Sequence, residues 1–375
     1  NYPSLNSWND RGGISWGYDV VPPGVYQCKI LGGCGVLNGA LMNVPLPAMF
    51  DRLWPDGWHW RDMQPYFDEV RRDFEVTQFP SVDGKHYLTD TGMTTLKSAL
   101  QRVGFYEADT LMPGSQHMGV PHVTVKGGIR QSTASVYLSA RPRNIDLRLG
   151  STVEEVVHSG GRATGVKYTQ HGRSLLAKLK DGGRVVLTAG TFNTARLLLA
   201  SGNFNSQVGR GVSDHTHKSV EYTLWANGEN VKGFEYEPTP DSGATSQYMW
   251  RRSGPLTQYG PTYVAYMRDR DSHGDPHEFD VEVWATPQGA GKVGMGFCLM
   301  RPTCSNADLR IEGRNHALKM SGSTHAACDR DRRILNNAVD VMTSAMAAMK
   351  AWKSNDRSPD AMNHWVGSCK LGSCV

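Results

Sequence analysis

The pentapeptide Asn363-His364-Trp365-Val366-Gly367 is the strongest chemical candidate in this chain of 375 residues. A free imidazole titrates at roughly pH 6.5, so His364 can take a proton from a substrate hydroxyl at working pH, while Asn363 can hydrogen-bond a substrate or orient the ring. Read alone, His364 is equally a core histidine with its bonds satisfied. Two glycine segments offer a partner surface. Gly32-Gly33-Cys34-Gly35-Val36-Leu37-Asn38-Gly39 lacks side chains where backbone N–H groups would have to approach a phosphate or a flat ring. It does not fit GxGxxG, because Asn38 stands where the last glycine should be, and by itself it reads first as a loop. The second segment, Ala189-Gly190-Thr191 to Ser201-Gly202, has the form of a strand end, a tight turn, a helix start and a glycine stop. Such a helix start favours an anion, although an ordinary strand-helix crossover has the same form.

The elements that must position these groups are mixed. Trp54-Pro55-Asp56-Gly57-Trp58 predicts a turn, and Arg61 to Phe74 has helical spacing through Met63, Tyr66, Phe67, Val70 and Phe74. From Asn144 to Lys180 the pattern becomes one of short strands, Ile145–Leu149, Val153–Val157 and Thr164–Tyr168, separated by Gly160-Gly161 and His171-Gly172. Arg184–Thr188 predicts a buried strand leading to Gly190 and a helix from about Thr194 to Ser201. Residues 216–320, rich in Gly, Pro, Thr, Trp and Tyr, predict a second sheet with strands at Asp280–Trp284 and Leu309–Ile311. Asp331 to Trp352 predicts the longest helix, its Ile334, Ala338, Val341 and Ala345 on one face. There is no internal repeat.

Composition narrows the functional classes. A hydrophobic fraction of 39% supports a large core, and 40 basic against 36 acidic residues leave a net charge of only +4, with no basic patch for nucleic acid or anionic lipid. No apolar run approaches the roughly 20 residues of a membrane span, and no signal segment opens the chain. Asp329-Arg330-Asp331-Arg332-Arg333 reads as a solvated helix start. Seven cysteines without CxxC spacing argue against a zinc site, and no metal site is expected. Cys28/Cys34 and Cys369/Cys374 are near enough in sequence for disulfides, and equally they read as free buried thiols. There is no Asn-x-Ser/Thr sequon.

Taken together, in this order and spacing, the segments resemble the glucose-methanol-choline (GMC) oxidoreductases. Lys29-x-x-Gly32-Gly33-x-Gly35-x-Leu37-Asn38 is similar to that family's first signature, and Gly190 to Gly202 to its second. Gly57-Trp58 with Pro65-Tyr66-Phe67, Arg130-x-Ser132 with Tyr137-Leu138, Asn144-Ile145-Asp146-Leu147, Gly209-x-Gly211-Val212-x-Asp214-His215 and Asn363 to Gly367 extend the likeness along nearly the whole chain. The Asn-His-Trp wording most resembles the flavin domain of cellobiose dehydrogenase. The pattern is departed from at Cys34, Met42 and Ala195, where the family carries a small hydroxyl or Gly, an aromatic, and Pro or Ser.

The resemblance implies an α/β fold, with an incomplete FAD-binding Rossmann-like domain and a second, sheet-based substrate domain. Residues 1–50, 121–215 and 346–375 would form the flavin domain, 51–120 a substrate-domain or cap part, and 216–345 the substrate domain. It implies FAD as cofactor, lined by Gly32, Gly33, Asn38, Val153, Ala189 and Gly190. The family's ADP-binding βαβ unit, and its final strand bearing a second His or Asn, have no counterpart in these residues. The chain is therefore expected to be part of a longer enzyme, and to hold FAD weakly on its own. The implied reaction is oxidation of an alcohol or sugar hydroxyl by hydride transfer to flavin, with His364 as general base and Asn363 beside it. His215 would support a turn, and His122, His158, His217 and His325 would be structural or superficial. An electron-acceptor protein is a further partner the resemblance allows, and its subfamily form favours an extracellular setting. The alternatives are an oxidase or lyase of the same family, or a flavin-free binding relative.

Overall fold

The computed structural model describes residue 16 and residues 27–375, except 86, 88–90, 141, 203–204, 227–228, 231–242, 259–262, 273–276, 288–291, 314–315, 325–327, 358, 373 and 375. Its largest unit is a nine-stranded sheet. The hub is Thr216–Ala226, which pairs antiparallel with Lys292–Leu299 on one side and with Ala351–Asp356 and Asp360–Ala361 on the other. Beyond Lys292–Leu299 lie Val281–Pro287, Tyr263–Met267 and His117–Gly119.

Alternation along these strands decides what each face meets. Val281, Val283, Ala285, Val293, Met295, Phe297, Val220 and Tyr222 point one way into a core closed by Ile334, Leu335, Ala338 and Met342 of the long helix Asp329–Ala348. Burial of that apolar face is the main stabilising term, worth about 1.5–3 kcal/mol for each large side chain. The other face carries Tyr266, Glu282, Cys298 and His217 in one cross-strand row, because Tyr266 pairs with Glu282, Glu282 with Cys298, and Cys298 with His217.

A second, four-stranded sheet orders Ala317–Ser323, Asn306–Glu312, Arg210–Ser213 and Val366–Ser368. The helix Gly190–Ser201 lies against it through Phe192, Ala195 and Leu198, which meet Val212, Leu309, Met320 and the partly buried Trp365. A three-stranded sheet, Ser151–Ser159, Arg162–Gln170 and Arg173–Lys178, docks on the same helix, where Ser201 Oγ accepts from Val156 N (2.8 Å) and Arg196 Nη2 donates to the Val153 carbonyl (3.1 Å). Its hairpins turn at Gly160-Gly161 and His171-Gly172, all four at positive φ, as the right-handed twist of paired strands requires.

Several expectations need correction. Ile145–Leu149 and Arg184–Thr188 form no strands: Ile145, Leu147 and Leu149 are exposed, and Val186 is 77% exposed. An apolar, β-branched run still needs a neighbouring strand to close its ladder, and none of the described residues provides one. The helix expected to reach Trp352 stops at Ala348, where Lys350 turns at φ 58° and Ala351–Asp356 joins the hub strand. Asp331 is fully buried rather than solvated, accepting from Thr303 N (2.9 Å), Thr303 Oγ1 (2.8 Å) and Cys304 N (3.3 Å). Two further pairings join stretches distant in sequence. Residues 306–323 pair with Arg210–Ser213, and 351–361 pair with the hub of the large sheet.

Disulfides join Cys28 to Cys34, Cys304 to Cys328 and Cys369 to Cys374, while Cys298 is a buried free thiol. Among the described residues no helix is long and apolar enough to cross a membrane.

Candidate active site

His364 stands in the loop between Asp360–Ala361 of the large sheet and Val366–Ser368 of the small one, so it occupies the seam of the two. Asn363 takes a left-handed conformation at φ 62°, and its side-chain carbonyl accepts from the Trp365 indole N–H at 3.0 Å. Trp365 then packs edge-on against Phe192, with ring centroids 5.3 Å apart. Gly367 has φ 85°, and a Cβ there would lie 2.0 Å from the Gly211 carbonyl oxygen, so only glycine lets the strand approach its neighbour.

The segment Ala189–Thr191 reaches this loop directly. Thr191 Oγ1 donates to the Trp365 carbonyl and Ser368 Oγ to the Thr191 carbonyl, both at 2.7 Å. Gln27 Nε2 donates to the Ala189 carbonyl at 3.2 Å, and the space a Cβ of Gly190 would fill is occupied by the Gln27 amide. Gln27 is followed by Cys28, whose disulfide to Cys34 closes around Gly32 and Gly33. A short covalent and hydrogen-bonded path therefore links the first glycine segment to the second, and the second to the histidine loop.

Asn38 lies at the end of the first segment, with its Oδ1 accepting from Arg130 Nη1 and Ala40 N, each at 3.0 Å. That oxygen is engaged within the protein, so any contact with a bound ring falls to Nδ2. Val153 stands in the three-stranded sheet, where its carbonyl accepts from Arg196 of Gly190–Ser201. His325 lies outside the described residues. His158 Nε2 meets the Ser201 carbonyl and His122 meets Asp109.

The electrostatics centre on three imidazoles. His364 is exposed by area, yet desolvation by surrounding protein is the main influence lowering its pKa from 6.5, followed by the neighbouring His215; Asp214 opposes both. His215 is edge-on to His364 at 5.6 Å, its Nδ1 bonded to the Leu299 carbonyl at 2.9 Å, and burial lowers its pKa also. With Nδ1–H donating to that carbonyl, a neutral His215 keeps its lone pair on Nε2. His217, expected to be structural or superficial, is partly buried, edge-on to Trp284 at 5.5 Å and sensitive to His364; burial depresses its pKa to about 4. Desolvation thus favours the neutral form of all three rings near pH 7.

The chain matches the family model for GMC oxidoreductases over residues 8–217 and belongs to that family. It is 26% identical over 304 residues to ecdysone oxidase of Spodoptera littoralis, an alignment covering 72% of this chain and 49% of the relative. It is 29% identical over 194 residues to 5-(hydroxymethyl)furfural oxidase of Methylovorus sp. (strain MP688), covering 47% of this chain and 36% of the relative. The chain thus spans about half, or less, of the length of these two relatives. Among solved structures, a formate oxidase has a TM-score of 0.78 at 15% identity, with 98% of this chain and 83% of that chain covered. Pyridoxine 4-oxidase from Mesorbium loti has a TM-score of 0.72 at 16% identity, with 98% and 80% covered. These likenesses establish the mixed α/β fold. The likeness to cellobiose dehydrogenase has no counterpart among them.

FAD is the cofactor this membership indicates, and the residues present fit it. Gly32 and Gly33 turn at φ 95° and 61°, and the space a Cβ of Gly33 would enter is open. Among the described residues the helix Gly190–Ser201 has no side-chain cap at Ala189, and a helix start of this kind favours an anion. One turn in, Asn193 is 3% exposed and its Nδ2 has no hydrogen-bond partner among the described residues.

Proposed function

We propose that the protein is an FAD-dependent oxidoreductase acting on a hydroxyl group of a small molecule, with His364 as the general base. The observation that carries this reading is the placement of His364 in the loop that joins the two sheets, its ring edge-on to His215 at 5.6 Å and its pKa lowered chiefly by desolvation. The relatives support the substrate class, since one is named for a hydroxymethyl compound. Bound FAD supplies the hydride acceptor. The residues of the chain do the rest. His364 accepts the hydroxyl proton, and with its pKa held below 6.5 it is deprotonated across the neutral range. His215 and Trp284 with His217 wall the same region. Gly32, Gly33, Ala189 and Gly190 approach the cofactor with backbone alone, and Asn38 contributes its side-chain amide. Val153, away from these, lines a more distant part of the same ligand. In this reading the flavin region is built from the two glycine segments, the helix Gly190–Ser201 and the small sheet, and the large sheet forms the substrate region.

The acceptor distinguishes two forms of this reading. A cellobiose dehydrogenase-like enzyme would pass electrons to an acceptor protein. Several relatives and neighbours are named oxidases, which supports oxygen instead. The three disulfides support an oxidising, extracytoplasmic setting for either. The test is anaerobic mixing of the flavin-loaded full-length protein with cellobiose and with simple aliphatic and aromatic alcohols, followed at the visible flavin band, then readmission of oxygen. Bleaching by an alcohol or sugar supports the reading, and recovery in oxygen alone selects the oxidase. A protein that carries no flavin, or one whose flavin no hydroxyl compound bleaches, overturns it.

A further inference from the structure

A carboxylate 150 positions away from the histidine holds it in place. Asp214, only 1% exposed, stands at the end of Arg210–Ser213 and accepts three backbone N–H bonds. Its Oδ1 takes those of His364 and His215, and its Oδ2 that of Asn363, all at 2.8 Å. Its own N–H donates to Ser305 Oγ (3.2 Å) and to the Thr324 carbonyl (2.9 Å), which fixes it to both ends of the Asn306–Ser323 hairpin. No lysine or arginine of the described residues forms an ion pair with it. A buried carboxylate costs several kcal/mol unless its lone pairs are satisfied, so the three N–H donors are what stabilises it there.

The loop needs that support. Asn363 is left-handed, a conformation that costs a non-glycine residue about 1–3 kcal/mol unless its surroundings over-determine it. The Trp365 indole fixes its side chain and Asp214 fixes its N–H, leaving the loop a single arrangement. Because Asp214 binds the N–H of His215 as well as that of His364, one carboxylate holds both ring-bearing backbones, and with the Leu299 carbonyl fixing the His215 ring the two imidazoles meet edge-on. We propose that Asp214 is the positioning residue of this site, a buried clamp that orients His364 against His215. This rests on the reading of His364 as the base, but the clamp itself is a statement about geometry.

Asp214 also acts on the ring by charge. His364 is faced by His215, which lowers its pKa, and by Asp214, which raises it; His217 lies within reach and is itself faced by Asp360. Removing the Asp214 charge therefore moves the His364 pKa further down. Because the neutral ring is the active form, the acid limb of the rate profile must move to lower pH, whereas a general loosening of the fold would lower the rate at every pH alike.

The test has three arms on the flavin-loaded full-length protein. In the parent, amide exchange at Asn363 and His364 should be at least about a hundred-fold slower than for an unstructured chain, as expected of hydrogen-bonded N–H groups. Exchange at the free rate overturns the clamp without any variant having to fold. In Asp214→Asn, whose amide nitrogen cannot accept, flavin content should stay normal while substrate-driven reduction at its plateau falls about a hundred-fold, in line with a base displaced by about 1 Å, and the acid limb shifts to lower pH. An unchanged plateau and limb in a folded Asp214→Asn protein also overturns it. His364→Gln separates the two claims. If that variant reduces at the parental rate, the base assignment fails while the exchange arm still judges the clamp.

Discussion

At the scale of single residues, the proposed role as base makes His364 the group whose loss should cost most. His364→Gln keeps size and some hydrogen bonding but removes the basic nitrogen, so reduction of bound flavin should slow by about a hundred- to ten-thousand-fold while flavin content and binding of an unreactive analogue change little. Stopped-flow reduction at the parental rate would show that another group removes the proton. The pH dependence has a definite sign. In the proposed role His364 acts only when neutral, and its pKa is lowered from 6.5, so the rate should rise with pH along a limb centred below 6.5 and be flat above it. His364, the glycine segments and Asp214-His215 could all be found in the sequence, because their residue types and order survive as motifs. What Asp214 does could not. Its bonds reach Asn363 and His364 across some 150 positions, and nothing local distinguishes a carboxylate that accepts three distant N–H groups from one that faces water. Gln27 is a plainer case, an unremarked amide whose place beside Gly190 depends wholly on the fold.

At the scale of elements, the sequence was informative where a pattern carried its own period and misleading where a partner was required. The helices Trp60–Asp73 and Asp329–Ala348 emerge from apolar positions at helical spacing, and Ser151–Ser159 with Arg162–Gln170 from alternation between glycine turns. Arg184–Thr188 has the composition of a buried strand without a neighbour among the described residues to pair with, which composition cannot report. The polar face of the large sheet was hidden for a related reason, since the row Tyr266, Glu282, Cys298, His217 exists only once register aligns four strands. A test of that face lies at Gly296, where a Cβ would come 1.3 Å from the Trp284 indole nitrogen. Gly296→Ala should cost about 1–3 kcal/mol by overpacking, and adding Trp284→Ala should recover part of it, because the two side chains compete for one volume. Urea midpoints that show the two changes to be additive would contradict this packing. The Cys304–Cys328 bond, with a sequence separation of 24, should contribute roughly 3 kcal/mol by restricting the unfolded chain. It also ties the start of Asp329–Ala348 to the loop that Asp331 binds. A Cys304→Ser/Cys328→Ser protein as stable as its parent would refute that contribution.

At the scale of the whole molecule, the fold buries ionisable groups of both kinds along one row, and their linkages to stability oppose each other. His217 has a folded pKa of about 4 against 6.5 unfolded, so below 6.5 the unfolded chain binds a proton that the folded one refuses, and stability is lost as pH falls from 6.5 towards 4. Glu282 is 7% exposed, and burial raises its pKa from 4.5 to about 7. Its sign is the reverse. The folded protein keeps the proton after the unfolded chain has released it, so this contribution is fully present below 4.5 and is lost as pH rises towards 7. Between 4.5 and 6.5 the two slopes cancel in part, and the parent's stability should vary less with pH than either group alone would dictate. Glu282→Gln preserves the shape and can still accept from Asn43 Nδ2, which lies 3.3 Å from Glu282 Oε2, but it has no proton to release. The variant should therefore match its parent near pH 4.5 and become progressively more stable relative to it up to about pH 7, by about 3 kcal/mol at 1.36 kcal/mol per pKa unit. Denaturant unfolding of both proteins at pH 4.5, 5.5, 6.5 and 7.5 measures the difference directly. A gap that does not widen with pH would mean that Glu282 is already ionised in the folded protein, and that the row on this sheet face is charged rather than neutral.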